Sequence, residues 1–213
     1  MGSDSVLCFR SACVLFTLEE GTVEHDQALA KEEEEMNQFS IHADRYWWID
    51  GSQDDPTDRC LHGHVIAQIG DELIEEDCCV SATALYLLKT LTEDHIWGED
   101  NQMLPCCGFF LIPNDDLTNV MISGCDNGTD WSVLHDNSIV RIFLQNGKEC
   151  NIPIEKYKDE VFRFADEVED FYNNCTPKVE PSDEFDRNGY IAFWNEWHRR
   201  RGEASESHDS SSA

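Results

Sequence analysis

The residues best suited to chemistry in this chain are Cys60-Leu61-His62-Gly63-His64. On a β-strand, side chains two apart share a face, so Cys60, His62 and His64 are expected to point the same way. Thiolate and imidazole are natural zinc ligands, and Cys106, Cys107, Cys125 or His135 would supply a fourth. A closed site of that kind would be structural, while one with an open position would activate water for hydrolysis. The spacing argues the other way. The chain holds no C-x-x-C pair, and its adjacent pairs, Cys78-Cys79 and Cys106-Cys107, would diverge on a strand. The plain alternative is a half-buried strand whose cysteines pack as small apolar groups.

Two further constellations carry less. Asp186, Asn188, Gly189 and Ile191 match the middle of a calcium-binding loop. The leading position is Glu184, however, and Asn195 stands where the bidentate glutamate belongs, so Asp183 to Gly189 reads as a turn that caps the last helix. Cys106-Cys107-Gly108 with His135 is the nearest approach to a nucleophile and base, but no local motif selects it. No catalytic residue is assigned, and the chain reads as a binding protein more readily than as an enzyme.

The aromatic residues suggest recognition instead. Trp47 and Trp48 are neighbours on an expected strand, so they face opposite sides of it. One of them lies away from the main core, beside an acidic loop that holds Asp54, Asp55 and Asp58. A tryptophan and three carboxylates are a plausible anchor for a protein partner.

Charge narrows the partner. The 44 acidic residues against 15 basic ones give a formal net charge of −29. Such a surface disfavours nucleic-acid phosphates and anionic membranes, and it steers a basic protein. The acids concentrate in the 50–59 loop, the 71–77 strand and the outside of the 157–172 helix, which are expected to form one acidic face. No apolar run is long enough to span a bilayer. The ten cysteines, without a secretory signal ahead of them, point to a cytoplasmic protein with free thiols.

These residues must be placed by secondary structure. The clearest stretch is 119–172. Strands are expected at 119–122, 130–135, 138–145 and 148–153, joined by turns at Asp126-Asn127-Gly128, Asp136-Asn137 and Asn146-Gly147. Asn-Gly favours a type I′ turn, in which both central residues take positive φ. The result is a four-stranded antiparallel meander. Tyr157, Val161, Phe164, Ala165, Val168, Phe171 and Tyr172 then form one helical stripe, which the sheet can bury. Upstream, strands are expected at 39–42, 46–49, 61–69 and 72–77, with a type II′ turn at Gly70-Asp71. Ser81 caps a helix to about Glu93, and a last helix spans about 187–201 with Tyr190, Phe193, Trp194 and Trp197 on one side.

The expected architecture is α+β: an antiparallel sheet with about three packed helices. Residues 36–201 form the domain, and 202–213 a disordered tail rich in Ser and Glu. Residues 1–35 read as an N-terminal extension. Lys31-Glu32-Glu33 can be encoded by a bacterial ribosome-binding sequence just ahead of Met36, which makes Met36 a candidate natural start. Three functions fit: an acidic inhibitor of a basic protein, of the immunity or antitoxin type; a zinc protein built on Cys60, His62 and His64; or a structural subunit with an obligate aromatic interface.

Overall fold

The computed structural model describes residues 38–206, apart from 50–53, 100, 109 and 125. The readings of residues 1–35 and of Met36 fall outside these residues, as does the tail from 207 onward. The described residues belong to one unit, Glu35–Ala213. The architecture is α+β with antiparallel sheets and three helices.

The N-terminal sheet is β1 (Phe39–Trp48), β2 (Leu61–Ile69) and β3 (Glu72–Cys78), in that order. The two strands expected at 39–49 are one strand, with a bulge between Ala43 and Arg45 that inserts Asp44. β2 and β3 join through Gly70-Asp71. Gly70 has φ 59° while Asp71 does not enter positive φ, as a type II′ turn requires. Phe39, Ile41, Val65, Ala67 and Ile69 point to one face of this sheet and are buried.

That face is covered by helices. α1 (Val80–Lys89) is buried at every residue from Val80 to Leu88. A helix apolar all round sits inside a protein, and this one is wrapped by β2, the other two helices and β4 (Leu104–Pro105). The sequence reading put its cap at Ser81 and its end near Glu93. Instead Cys79 is the N-cap, Ser81 is enclosed in the first turn, and the helix stops at Lys89, where the Thr90 hydroxyl donates to Leu87 O (2.7 Å). α2 (Ile154–Asn174) buries Tyr157, Val161, Phe164, Ala165, Val168 and Tyr172, the stripe that its 3.6-residue period dictates. It lies along β1, with the Tyr157 ring 4.9 Å from Phe39 and an Arg163 guanidinium N–H donating to Ile41 O.

The C-terminal meander has three strands rather than four: β8 (Ser132–Asp136), β9 (Ile139–Phe143) and β10 (Glu149–Pro153). The segment expected to lead it, β6 (Val120–Ser123), pairs with β5 (Phe110–Pro113), and β7 (Gly128–Thr129) pairs with β4. The Asn146-Gly147 turn also differs. Only Gly147 has positive φ (86°), Gly147 N–H donates to Leu144 O, and Leu144 N–H donates to Lys148 O. This is a three-residue loop ending in a glycine bulge, the other common hairpin solution. Asn137, at φ 56°, turns the chain between β8 and β9.

α3 (Glu184–Glu206) begins and ends beyond the expected 187–201. Asp183 caps it by accepting from the amides of Phe185 and Asp186. Asp186 and Asn188 are therefore helical and do not form a calcium loop. Gly189 lies where α3 crosses β5: a Cβ there would sit 2.4 Å from Leu111 O. Residues 202–206, expected in the tail, continue this helix. Among the described residues no helix is long and apolar enough to cross a membrane.

Candidate functional site

Because the helices cover one face of the N-terminal sheet, its other face is left to the alternate residues of the same strands. The register assembles them into cross-strand rows. Ser40, Gln68 and Leu73 form one row; His42, Ile66 and Glu75 the next; Arg45, His64 and Asp77 the third; Trp47 and His62 close the end nearest the 54–60 loop. Leu73 is 57% exposed, and His42, Arg45, Glu75 and Asp77 are exposed as well. Ile66 and Trp47 are half-buried. Among the described residues, apolar, aromatic, basic and acidic groups thus share this face, which no helix covers.

Local contacts hold the patch in shape. The Trp47 ring stacks on His62 at 6.4 Å and 25°. His64 Nδ1 and Asp77 Oδ1 are 2.7 Å apart, and Arg45 approaches the same carboxylate at 4.0 Å. Glu75 makes no side-chain bond among the described residues. The patch therefore presents one carboxylate already shared and one uncommitted.

Trp48 faces the other way. It is buried against Phe171 and Tyr172, with the Lys178 ammonium 3.3 Å from its ring centroid. Asp54 accepts from that ammonium (2.8 Å) and from the Thr176 amide. Those two hydrogen bonds hold the Asp54 carboxyl down at about 2. Asp55 accepts from the amide and hydroxyl of Thr57, which lowers its pKa too, and Asp58 accepts from the Cys60 amide. Asp54 thus clasps the 54–60 loop to Thr176 and Lys178, while Asp55 and Asp58 are engaged within the loop itself.

The single acidic face expected from the sequence is not formed. Glu75 stands on the open face of the sheet. Asp166 stands on α2, in the layer that covers the opposite face, and is paired with Arg201 (2.8 Å). Asp54 belongs to the clasp. The carboxylates are dispersed because strand and helix face opposite ways across the sheet that separates them.

Of Cys60, His62 and His64, the structure brings the first two together and leaves the third apart. Cys60 lies just before β2, buried, with its Sγ 3.5 Å from Cys79 Sγ and 3.8 Å from His62 Nδ1. His64 turns instead to Asp77. Cys79, at the N-cap of α1, also contacts Ser81 Oγ at 3.4 Å. The contact between the two thiols lowers the pKa of Cys79 and raises that of Cys60. Among the described residues no group of three or more His, Cys, Asp or Glu side chains is placed to hold a metal ion. The zinc expectation rests on the sequence alone.

The remaining pair, Cys106-Cys107 with His135, offers less than its sequence suggested. Cys106 is disulfide-bonded, which corrects the expectation of free thiols at that position; Cys60, Cys78, Cys79, Cys107, Cys150 and Cys175 are free. His135 Nδ1 lies 2.7 Å from Asp94 Oδ1.

Sequence reasoning placed Trp47 in a recognition role but missed Leu73 and Glu75. The signal was present: Gly70-Asp71 sets the parity of β3, and parity puts Leu73, Glu75 and Asp77 on one face. Compared with family models, with curated proteins and with solved structures, the chain matches none.

Proposed function

We propose that this is a cytoplasmic, non-catalytic binding protein, and that its partner is a basic protein docking on the open face of the β1–β3 sheet. The carrying observation is the asymmetry of that sheet. One face is sealed by helices, while the other leaves Leu73 57% exposed beside Glu75 and Asp77, with Ile66 and Trp47 half-buried in the same patch. An exposed apolar surface rimmed by charge is the usual mark of an interaction site. Trp47 would be the rigid anchor, since tryptophan is enriched among residues that dominate binding energy. The acids would steer a basic partner and set its orientation more than its final affinity. Six free thiols among the described residues support the cytoplasmic placement, while the disulfide at Cys106 weighs against it. With its acids on separate faces, the chain is better suited to hold one partner on one patch than to blanket a broad basic surface.

The experiment is a chemical-shift titration of the ¹⁵N-labelled full chain with a lysine decapeptide, and with a glutamate decapeptide as control. Perturbations should gather on residues 40–47, 62–68 and 73–77, for lysine only, and fade as salt approaches ~1 M, where the screening length is about 3 Å. Shifts spread evenly over Asp166, Asp159 and the 183–186 turn, with no preference for the sheet, would defeat the proposal.

A further inference from the structure

Cys60 and Cys79 stand at the two ends of the β2–β3 hairpin, one residue before β2 and one after β3. The hairpin returns the chain on itself, so residues 19 apart meet, and their sulfurs lie 3.5 Å from each other. That gap is about 1.5 Å longer than a disulfide bond. Cys78, the neighbouring residue, turns its sulfur away to Thr83 Oγ1 (3.6 Å), and the Cys150 sulfur approaches Gln38 O (3.4 Å). Thiols that only fill space are placed like these two, among non-sulfur atoms. Cys60 and Cys79 are placed as a pair.

The two members differ. Cys79 is the N-cap of α1, where the helix favours negative charge, and Ser81 Oγ lies 3.4 Å from its sulfur. Cys60 follows Asp58, whose carboxylate accepts from the Cys60 amide (3.1 Å) and disfavours a second negative charge nearby. Cys79 is therefore the better nucleophile, and Cys60 the thiol that resolves what forms on it. Both are enclosed: Cys60 is 4% exposed and Cys79 0%. Gly108 O, in the segment after β4, lies 3.8 Å from Cys79 Sγ. A tripeptide disulfide does not reach sulfurs so enclosed, while a molecule little larger than water needs only a local opening.

We propose that Cys60 and Cys79 are a modification site for hydrogen peroxide, which joins them in a disulfide that staples the start of β2 to the N-terminus of α1. The Cys79 thiolate attacks one peroxide oxygen. The O–O bond breaks, Cys79 becomes a sulfenic acid, and hydroxide leaves. That hydroxide takes the Cys60 proton and becomes water. The Cys60 sulfur then attacks the Cys79 sulfur and the S–O bond breaks. The second hydroxide leaves as water, with the proton that Cys79 gave up on ionising. Two thiols are oxidised, and one peroxide is reduced to two waters. The inference is independent of the reading of the sheet as a docking face. It touches that face at one point, because Cys60 Sγ is 3.8 Å from His62 Nδ1 and Trp47 stacks on His62.

The test treats the full chain with hydrogen peroxide or with glutathione disulfide at equal concentration. The protein is then alkylated in denaturant and cleaved after glutamate, which separates Cys60 from Cys79 at Glu72, Glu75 and Glu76. Peptide masses report the cross-link. The expected result is a Cys60–Cys79 disulfide with peroxide, at a yield at least about tenfold above that with glutathione disulfide. It should persist in Cys78→Ser and Cys107→Ser and disappear in Cys60→Ser and Cys79→Ser. The cross-linked wild type should melt at a higher temperature than the reduced chain, since a loop around the hairpin is closed. Its His62 ring and Trp47 indole signals should shift. Equal cross-linking by the two oxidants would overturn the proposal. So would a cross-link formed only in urea, or none while Cys107 and Cys175 are already oxidised.

Discussion

Glu196 offers the sharpest check on how the helical layer is assembled. It is fully buried on α3, and its carboxylate accepts from the Val120 amide (2.7 Å) and from Arg200 Nε (2.8 Å), with the Lys89 ammonium 3.4 Å away. One side chain thereby ties α3 to α1 and to β6. In Glu196→Ala the Val120 amide is left buried without its acceptor, a loss of ~1–3 kcal/mol. Arg200, also buried, keeps only its bonds to Glu93 and Thr92 among those described. Breaking one side of a buried ion pair costs ~3–5 kcal/mol in total, because the remaining charge stays desolvated. For a chain of this length each kcal/mol moves the melting temperature by roughly 2–4 °C, so a fall of about 6–20 °C is expected. Glu196→Gln keeps the shape and an acceptor for Val120, and should lose roughly half as much. Urea unfolding of the three proteins measures the free energies directly. A loss below ~1 kcal/mol for Glu196→Ala, with an unchanged m-value, would show that water replaces the carboxylate and that the network is not the tie described.

Gly189→Ala should destabilise by ~1–3 kcal/mol, because the new methyl meets Leu111 O, a backbone atom that cannot rotate away; a neutral result in thermal unfolding would mean that α3 lifts off β5 at no cost. The clasp of the 54–60 loop should be acid-sensitive. The pKa of Asp54 is depressed to about 2 in the folded protein, so its contribution is present above the unfolded value near 4 and disappears as pH falls toward 2. Amide exchange of Thr176 and Val179, corrected for its intrinsic pH dependence, should therefore become less protected between about pH 4 and pH 2 in the wild type, and Asp54→Asn should remove that pH dependence.

The parts legible in the sequence are those governed by contacts a few residues apart. The stripe from Tyr157 to Tyr172 follows from the 3.6-residue period, and six of its seven apolar positions are buried. The pairing of β2 with β3 follows from Gly70-Asp71, since only glycine enters positive φ there without strain. The three-strand run β8–β9–β10 follows from alternation and short turns. At Asn146-Gly147 local chemistry placed the turn but not its type, because two loop geometries both use glycine at positive φ.

What tertiary structure alone decided is everything that joins distant segments. The partner of β6 is β5, not β8, a choice between two nearby apolar strands that alternation cannot rank. Leu85, Leu88 and Leu91, three residues apart, suggest a single inward side for the helix after Ser81, yet α1 is enclosed on all sides because β2, β4 and the other two helices close over it. Asp54, Asp55 and Asp58 look like a solvated acidic loop, but their oxygens are met by Lys178, Thr176, Thr57 and the Cys60 amide. Cys60 and His64 share parity, yet one meets Cys79 across 19 residues and the other meets Asp77. The neighbours of β3 beyond β2 belong to the same class, with Thr129 donating to Glu76 and the Cys79 amide donating to Pro105 O. Parity within a strand is a local property, but being the last strand of a sheet depends on where every other strand has gone.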